Sequence, residues 1–186
     1  MIKIAFLLHN FENGGMAKFI FRLSTSLFNK YKFYFISTHL NTVPQEFEKI
    51  GTIKSFSKNW ISLYKYLKNE KIDIVQFGQY RLSGDVAIAS GVPIVIERLD
   101  GFKDGAILSN KRGLNAVIAS TKDTVNPIAH LICKKKIHQI YNGINTKTFD
   151  KVKKNRLNFK NDDIIIGRVS VLHQGKNIEL LINAFR

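Results

Sequence analysis

Apolar residues along this chain come in short blocks separated by polar turns, and the blocks alternate between two periods. Ile2–Leu8 is a continuous apolar run broken only by Lys3, as in a strand buried on both faces. Met16–Phe28 then places Met16, Ile20, Leu23 and Leu27 at helical spacing, and Asn13-Gly14-Gly15 before it is a turn and helix-start signal. The aromatic and β-branched stretch Lys32–Thr38 predicts a second strand, and Ile53–Phe56 a short third. Trp60–Leu67 carries Trp60, Leu63, Tyr64 and Leu67 on one helical face. Strands follow at Ile72–Phe77 and at Val92–Ile96, whose Pro93 stands where a strand tolerates it, with a short helix at Gly84–Ala89 between them. Ala116–Ala119 and Ile137–Tyr141 read as two more short strands around a Thr124–Ile132 helix. Helices between buried strands imply right-handed βαβ crossovers, hence an α/β fold with a doubly wound, mainly parallel sheet.

After Tyr141 the pattern changes. Residues 142–160 are polar and lysine-rich, without an apolar period. A new strand is expected at Ile164–Arg168 and a helix near Asn177, with Ile178, Leu181, Ile182 and Phe185 on its apolar side. One strand and one helix cannot bury their own faces, so they read as the start of a second domain. The expected organisation is a first domain over 1–150, a basic linker over 151–163 and a βα stub over 164–186.

Composition narrows the class. With 45% hydrophobic and 23% charged residues the chain is not disordered, and no apolar run of about 18 residues is present to span a membrane. The first apolar stretch lacks a small-residue cleavage site and reads as a strand, not a signal peptide. Cys133 is the single cysteine, which excludes an internal disulfide and a cysteine-based zinc cluster; it reads as a structural thiol in an apolar helix, and the expected compartment is the cytoplasm. The net charge of +15 points to anionic partners, or simply to solubility. From 134 to 176 the chain carries 11 Lys and Arg against Asp150, Asp162 and Asp163. Lys134–Lys136 reads as a solvated charge run.

Candidate chemistry gathers where strands end. Gly14 and Gly15 follow the first strand, where two glycines let a backbone approach a phosphate and the next helix offers free N–H groups; a tight turn with no ligand is the plain alternative. The G-x-G-x-x-G dinucleotide fingerprint is absent. Asp100 follows the fifth strand and suits a base or a hydroxyl-orienting group, or else caps the next turn. Glu97 and Arg98 beside it are able to pair with each other. Arg168, closing the expected second-domain strand, and Lys176, opening its helix, would together suit a diphosphate. His9, His39, His130, His138 and His173 form no metal-ligand spacing, and His9 reads as a hydrogen-bonded histidine at a strand end.

The order of these motifs is more specific than any one of them. Gly14-Gly15 opening a helix, VIASTKDTV (117–125), IYNGINTKTF (140–149) and IGRVSVLHQGKNIELLINAF (166–185) resemble the retaining glycosyltransferases of the GT-B fold, family 4. The resemblance spans essentially the whole chain, and Asn142-Gly143-Ile144 and Gly167-Arg168 with Lys176 are its most specific parts. It implies an enzyme of two Rossmann-like domains, the first for the acceptor and the second for most of a nucleotide-sugar donor. Transfer is expected in the cleft with retention, without a metal ion or other cofactor. Gly15 would approach the donor phosphates, Arg168 and Lys176 would neutralise the diphosphate leaving group, and Asp100 stands where many members carry a catalytic His or Asp.

This sequence departs from the family in several places. Asn145 replaces an Asp, with the expected loss of a structural hydrogen bond, and the Arg168–Lys176 spacing is about three residues longer than common. The distal acidic E-x7-E motif does not occur. The expectation is therefore the N-terminal portion of a hexosyltransferase-type enzyme, inactive alone, serving a glycan or lipid-linked acceptor in surface polysaccharide synthesis. It is expected in the cytoplasm, resting on an anionic membrane surface, with no nucleic acid as partner. The alternative is a non-catalytic Rossmann-like binding domain, or one half of a split transferase.

Overall fold

The structure, a computed structural model, describes residues 1–11, 14–39, 43–78, 80–100, 112–147, 160, 164–170 and 176–185. Two compact units divide the chain, 1–144 and 145–186. In the first, seven strands form one sheet: β1 (Lys3–Leu8), β2 (Lys32–Ser37), β3 (Gly51–Ser55), β4 (Ile74–Phe77), β5 (Ile94–Leu99), β6 (Ala116–Ala119) and β7 (Ile137–Gln139). Their order is β3-β2-β1-β4-β5-β6-β7 and each neighbouring pair is parallel. This is the Rossmann-like doubly wound sheet expected from the alternation of strands and helices.

Side-chain alternation along each strand sends residues to two separate cores. Ala5 and Leu7 of β1 and Tyr34 and Ile36 of β2 pack under α2 (Trp60–Glu70), α3 (Arg81–Ala89) and α4 (Lys122–Ile128), through Leu63, Leu67, Ala87 and Ile128. Phe6, Leu8, Phe33 and Phe35 point to the opposite face, against Met16, Ala17 and Ile20 of α1 (Gly15–Leu27). Burial on both faces is why β1 and β2 read as nearly unbroken apolar runs. A 3-10 turn at Gln45–Lys49, which sequence periodicity did not predict, adds Phe47 to the α1-side core.

Several boundaries differ from the expected ones, among them β3 at Gly51–Ser55, α3 at Arg81–Ala89 and β7 ending at Gln139. The fifth strand begins after Pro93 and runs on through Glu97 and Arg98, because both charged side chains are buried in the sheet. The α4 helix starts at Lys122 behind an extended Thr121 and ends at Ile128, one residue after Pro127.

In the second unit, α5 (Ile178–Ala184) forms where the apolar period places it. The expected strand at Ile164–Arg168 does not: residues 164–170 carry no ladder, and Ile164, Ile165 and Ile166 are exposed. A strand exists only through hydrogen bonds to a neighbouring strand, and none lies beside this segment among the described residues. Among the described residues from 164 onward there is thus a helix and no strand. The linker expected over 151–163 falls outside the described residues except for Lys160, which is exposed.

Candidate functional site

In a parallel sheet all carboxyl ends lie along one edge. Here the strand order reverses direction between β1 and β4, the position on that edge where doubly wound sheets bind ligands. Gly14 and Gly15 stand beside it, at the start of the helix that follows β1. Gly14 is the N-cap with φ −95° and ψ 163°, its side-chain-free position leaves the first amides uncapped, and both glycines are exposed. A Cβ built on Gly15 meets nothing within 4 Å. Neither its helical backbone nor a neighbour requires a glycine there, so the fold keeps open space over the first turn of α1. Asn13 lies outside the described residues.

Asp100 ends β5 on the same edge, and its partner is Arg98 rather than a turn: Arg98 Nε donates to Asp100 Oδ1 at 3.1 Å. Strand alternation explains this. Val95 and Leu99 enter the α2-side core, so Glu97 between them points the same way, while Arg98 points to the α1 side with Asp100 two residues on. Glu97 and Arg98 thus leave the strand on opposite faces, and the ion pair of Arg98 is with Asp100. Arg98 also donates through Nη2 to Asn142 Oδ1 at 2.5 Å and lies 4.0 Å over the Phe19 ring. One buried guanidinium thus joins β5, α1 and the Asn142-Gly143 segment.

At the point of reversal, four rings stand in series. Trp60 and Tyr80 are parallel within 8° at 5.6 Å, Tyr80 and His9 within 22° at 5.4 Å, and His9 meets His39 at 4.6 Å. Each is half-buried. His9 directly follows β1, and Tyr80 stands three residues beyond β4, so their stack bridges the point of reversal. Hydroxyls fix the backbone beneath. Ser37 Oγ shares its proton between the carbonyls of His9 (3.1 Å) and His39 (3.0 Å), and Ser55 Oγ donates to His39 O at 2.7 Å. Ser57 and Lys58, at φ 43° and 64°, turn the chain between β3 and Trp60 through the left-handed region. His9 Nδ1 is buried and has no hydrogen-bond partner among the described residues, contrary to the satisfied histidine expected. His39, Tyr80 and Trp60 were not picked out by motif; their position just past strand ends, or at a helix start, was the available signal.

Of the remaining candidates, Arg168, Lys176 and Asn145 lie in the second unit, and Cys133 and Lys134–Lys136 in the first. Arg168 and Lys176 are both exposed, on a segment without ladder and at the start of a turn before α5, and Gly175 and His173 fall outside the described residues. Asn145 Oδ1 accepts from Lys147 N at 3.2 Å, so replacing Asp by Asn there keeps a local side-chain bond after all. Cys133 is exposed and precedes a 3-10 turn at Lys134–Lys136, not within a helix. Lys136 in that turn donates to the Leu114 carbonyl, so the charge run is only in part solvated.

The sequence matches no protein-family model and none of the curated proteins. Solved structures do match. MurG from Acinetobacter baumannii aligns with a TM-score of 0.53 at 14% identity, over 67% of this chain and 42% of that one. HepE from Anabaena, in complex with UDP and glucose, aligns at 0.63 and 12% identity, over 79% and 46%. A UDP-N-acetylglucosamine 2-epimerase aligns at 0.55 and 14%, over 73% and 47%. The chain spans less than half the length of these structures. At such identities the likeness is one of fold: the sheet is the Rossmann-like half of a GT-B architecture.

Proposed function

We propose that this chain is the acceptor-binding portion of a glycosyltransferase that moves a sugar, with retention, from a nucleotide-sugar donor to a glycan or lipid-linked acceptor. Gly14 and Gly15 admit the donor diphosphate at the α1 N-terminus, where uncapped amides favour anions. Arg168 and Lys176 neutralise the leaving diphosphate, and Asp100 is the catalytic carboxylate. The first domain, over 1–150, holds the acceptor. The segment from 164 onward belongs to the donor half, and the chain alone does not turn over. Its +15 charge suits an acceptor presented at an anionic membrane surface in polysaccharide synthesis.

The observation that carries this reading is the place of Gly14 and Gly15 at the exposed, uncapped start of α1, at the point of strand-order reversal in a sheet whose fold neighbours include one bound to UDP and glucose. Two fold neighbours support the donor class, one bound to UDP and glucose and the other named for UDP-N-acetylglucosamine. The test is calorimetric titration of UDP and UDP-N-acetylglucosamine or UDP-glucose into a chain long enough to carry both halves, with and without Gly15→Ala. The substitution is expected to leave the melting temperature in place, since alanine is the better helix former, while donor affinity falls roughly tenfold. Undiminished affinity in Gly15→Ala would make the glycine an ordinary turn residue. Absence of nucleotide-sugar binding would leave a non-catalytic domain.

A further inference from the structure

We propose that the outer face of α2, with the lysines that flank it, docks on an anionic lipid surface, Ile61 entering the headgroup layer and the lysines meeting its phosphates. The inference rests on the membrane-presented acceptor of the function proposed above and gives that surface its residues. Helical period places Ile61, Lys65 and Lys68 in one exposed stripe, opposite Leu63 and Leu67, which enter the core. Lys58 precedes the helix and Lys71 caps its end, and both are exposed. Ile53 packs into the α1-side core, so Lys54 after it leaves the edge strand on the α2 side of the sheet, also exposed.

No carboxylate neutralises this face. None of the five lysines has an ion-pair partner among the described residues. The nearby acids are engaged elsewhere: Glu70 accepts from the Tyr34 hydroxyl at 2.9 Å, Asp73 accepts from the Lys3 amide at 2.8 Å, and Asp85 pairs with Arg81 at 3.4 Å. Ile61 stands 69% exposed at the start of the stripe, with Trp60 beside it and Tyr64 one turn on. A lone exposed isoleucine is ordinary on a protein surface. Set among unpaired lysines and next to an indole and a phenol, it has the make-up of a helix that lies along a membrane interface.

Charge complementarity selects the partner. A cluster of four or more lysines on an amphipathic helix matches an anionic leaflet, and long lysine stems let the ammonium groups reach phosphates while the helix lies flat. A nucleic-acid backbone would also satisfy the lysines, but it would leave Ile61 in water.

The 186-residue chain is to be sedimented with vesicles of phosphatidylcholine alone and of phosphatidylcholine with about one-third phosphatidylglycerol. Binding to the anionic vesicles, weakened by salt, and none to the neutral ones is expected. Lys65→Gln combined with Lys68→Gln should weaken it roughly thirtyfold, and Ile61→Asn roughly fivefold. Lys134→Gln combined with Lys135→Gln removes the same charge from exposed positions before β7, at the other edge of the sheet, and should change binding less than about twofold. Trp60 is the only tryptophan in the chain and adjoins Ile61, so bromine-labelled acyl chains in the anionic vesicles should quench its emission. That readout uses the unsubstituted chain and needs no variant to fold.

Equal binding to both vesicles or to neither would overturn the docking face. So would an equal loss in the Lys134 and Lys135 variant, a bound chain whose Trp60 is not quenched, or binding of a single-stranded RNA in place of the vesicles. The donor titration on the longer chain is separate. Vesicle docking through α2 with no nucleotide-sugar binding there sinks the transferase and keeps the face. The reverse pattern sinks the face alone.

Discussion

Arg98 shows how far a residue's role depends on its neighbours in space. In sequence it sits beside Glu97 and invites a local pair; in the fold it is among the largest buried side chains and reaches Asp100, Asn142 and Phe19. Asn142 lies 44 positions away, so no local reading joins them. Breaking a fully buried ion pair costs about 3–5 kcal/mol. Here Asp100 is about one-third exposed and Asn142 is exposed, so both rehydrate when the guanidinium is gone. Arg98→Met, which keeps the apolar bulk, is therefore expected to cost about 1–2 kcal/mol in urea unfolding. Arg98→Ala should cost more through the cavity it adds, about 2–4 kcal/mol. Equal midpoints for Arg98→Met and the unsubstituted chain would remove the bridge as a stabilising element.

Elements were legible where one pattern served one environment. β1 and β2 are buried on both faces and read as apolar runs; α1 and α2 bury one side and read as stripes. The Ile164–Arg168 segment has the same local pattern and forms no strand, because pairing is a property of two segments and propensity of one. At one edge of the sheet, β3 survives by fitting closely. A Cβ on Gly51 would lie 2.5 Å from the Phe33 carbonyl oxygen and 2.7 Å from the Phe35 ring. Backbone cannot yield there, so Gly51→Ala is expected to lower stability by about 1–3 kcal/mol. Gly143→Ala, with nothing within 4 Å, is the control and should stay within ~0.5 kcal/mol. Thermal melts of both variants read the difference. Equal melts for the two variants would show that the close approach of β3 to β2 at Gly51 carries no cost.

For the molecule as a whole, the tyrosines near Glu70 set the alkaline limit of stability. Burial first, and then the hydrogen bond to and charge of Glu70, push the Tyr34 hydroxyl up to about 12. Burial and Glu70 also raise Tyr66 above the ordinary tyrosine range. Both hydroxyls hold their protons more tightly when folded, so the unfolded chain deprotonates first. Their contribution is complete below pH 10 and is lost as pH climbs toward 12. Melting temperature should thus be level with respect to these groups up to pH 10 and fall above it, and Tyr34→Phe should make the fall shallower. A melting profile of identical slope in Tyr34→Phe would assign the alkaline loss to other groups.

The apolar periods alone determined that this is a doubly wound parallel α/β fold, because each strand and helix must bury a face and the alternation allows few layer arrangements. Sequence also placed Gly14, Gly15 and Asp100 at strand ends, since a parallel sheet collects those ends on one edge. Tertiary structure decided what meets there. It took His9, His39, Trp60 and Tyr80 from four separate places in the chain and put them in one stack, and it turned Arg98 toward Asp100 and Asn142. Such contacts join residues tens of positions apart, and their geometry is set by strand order and pleat, which no single stretch of sequence encodes.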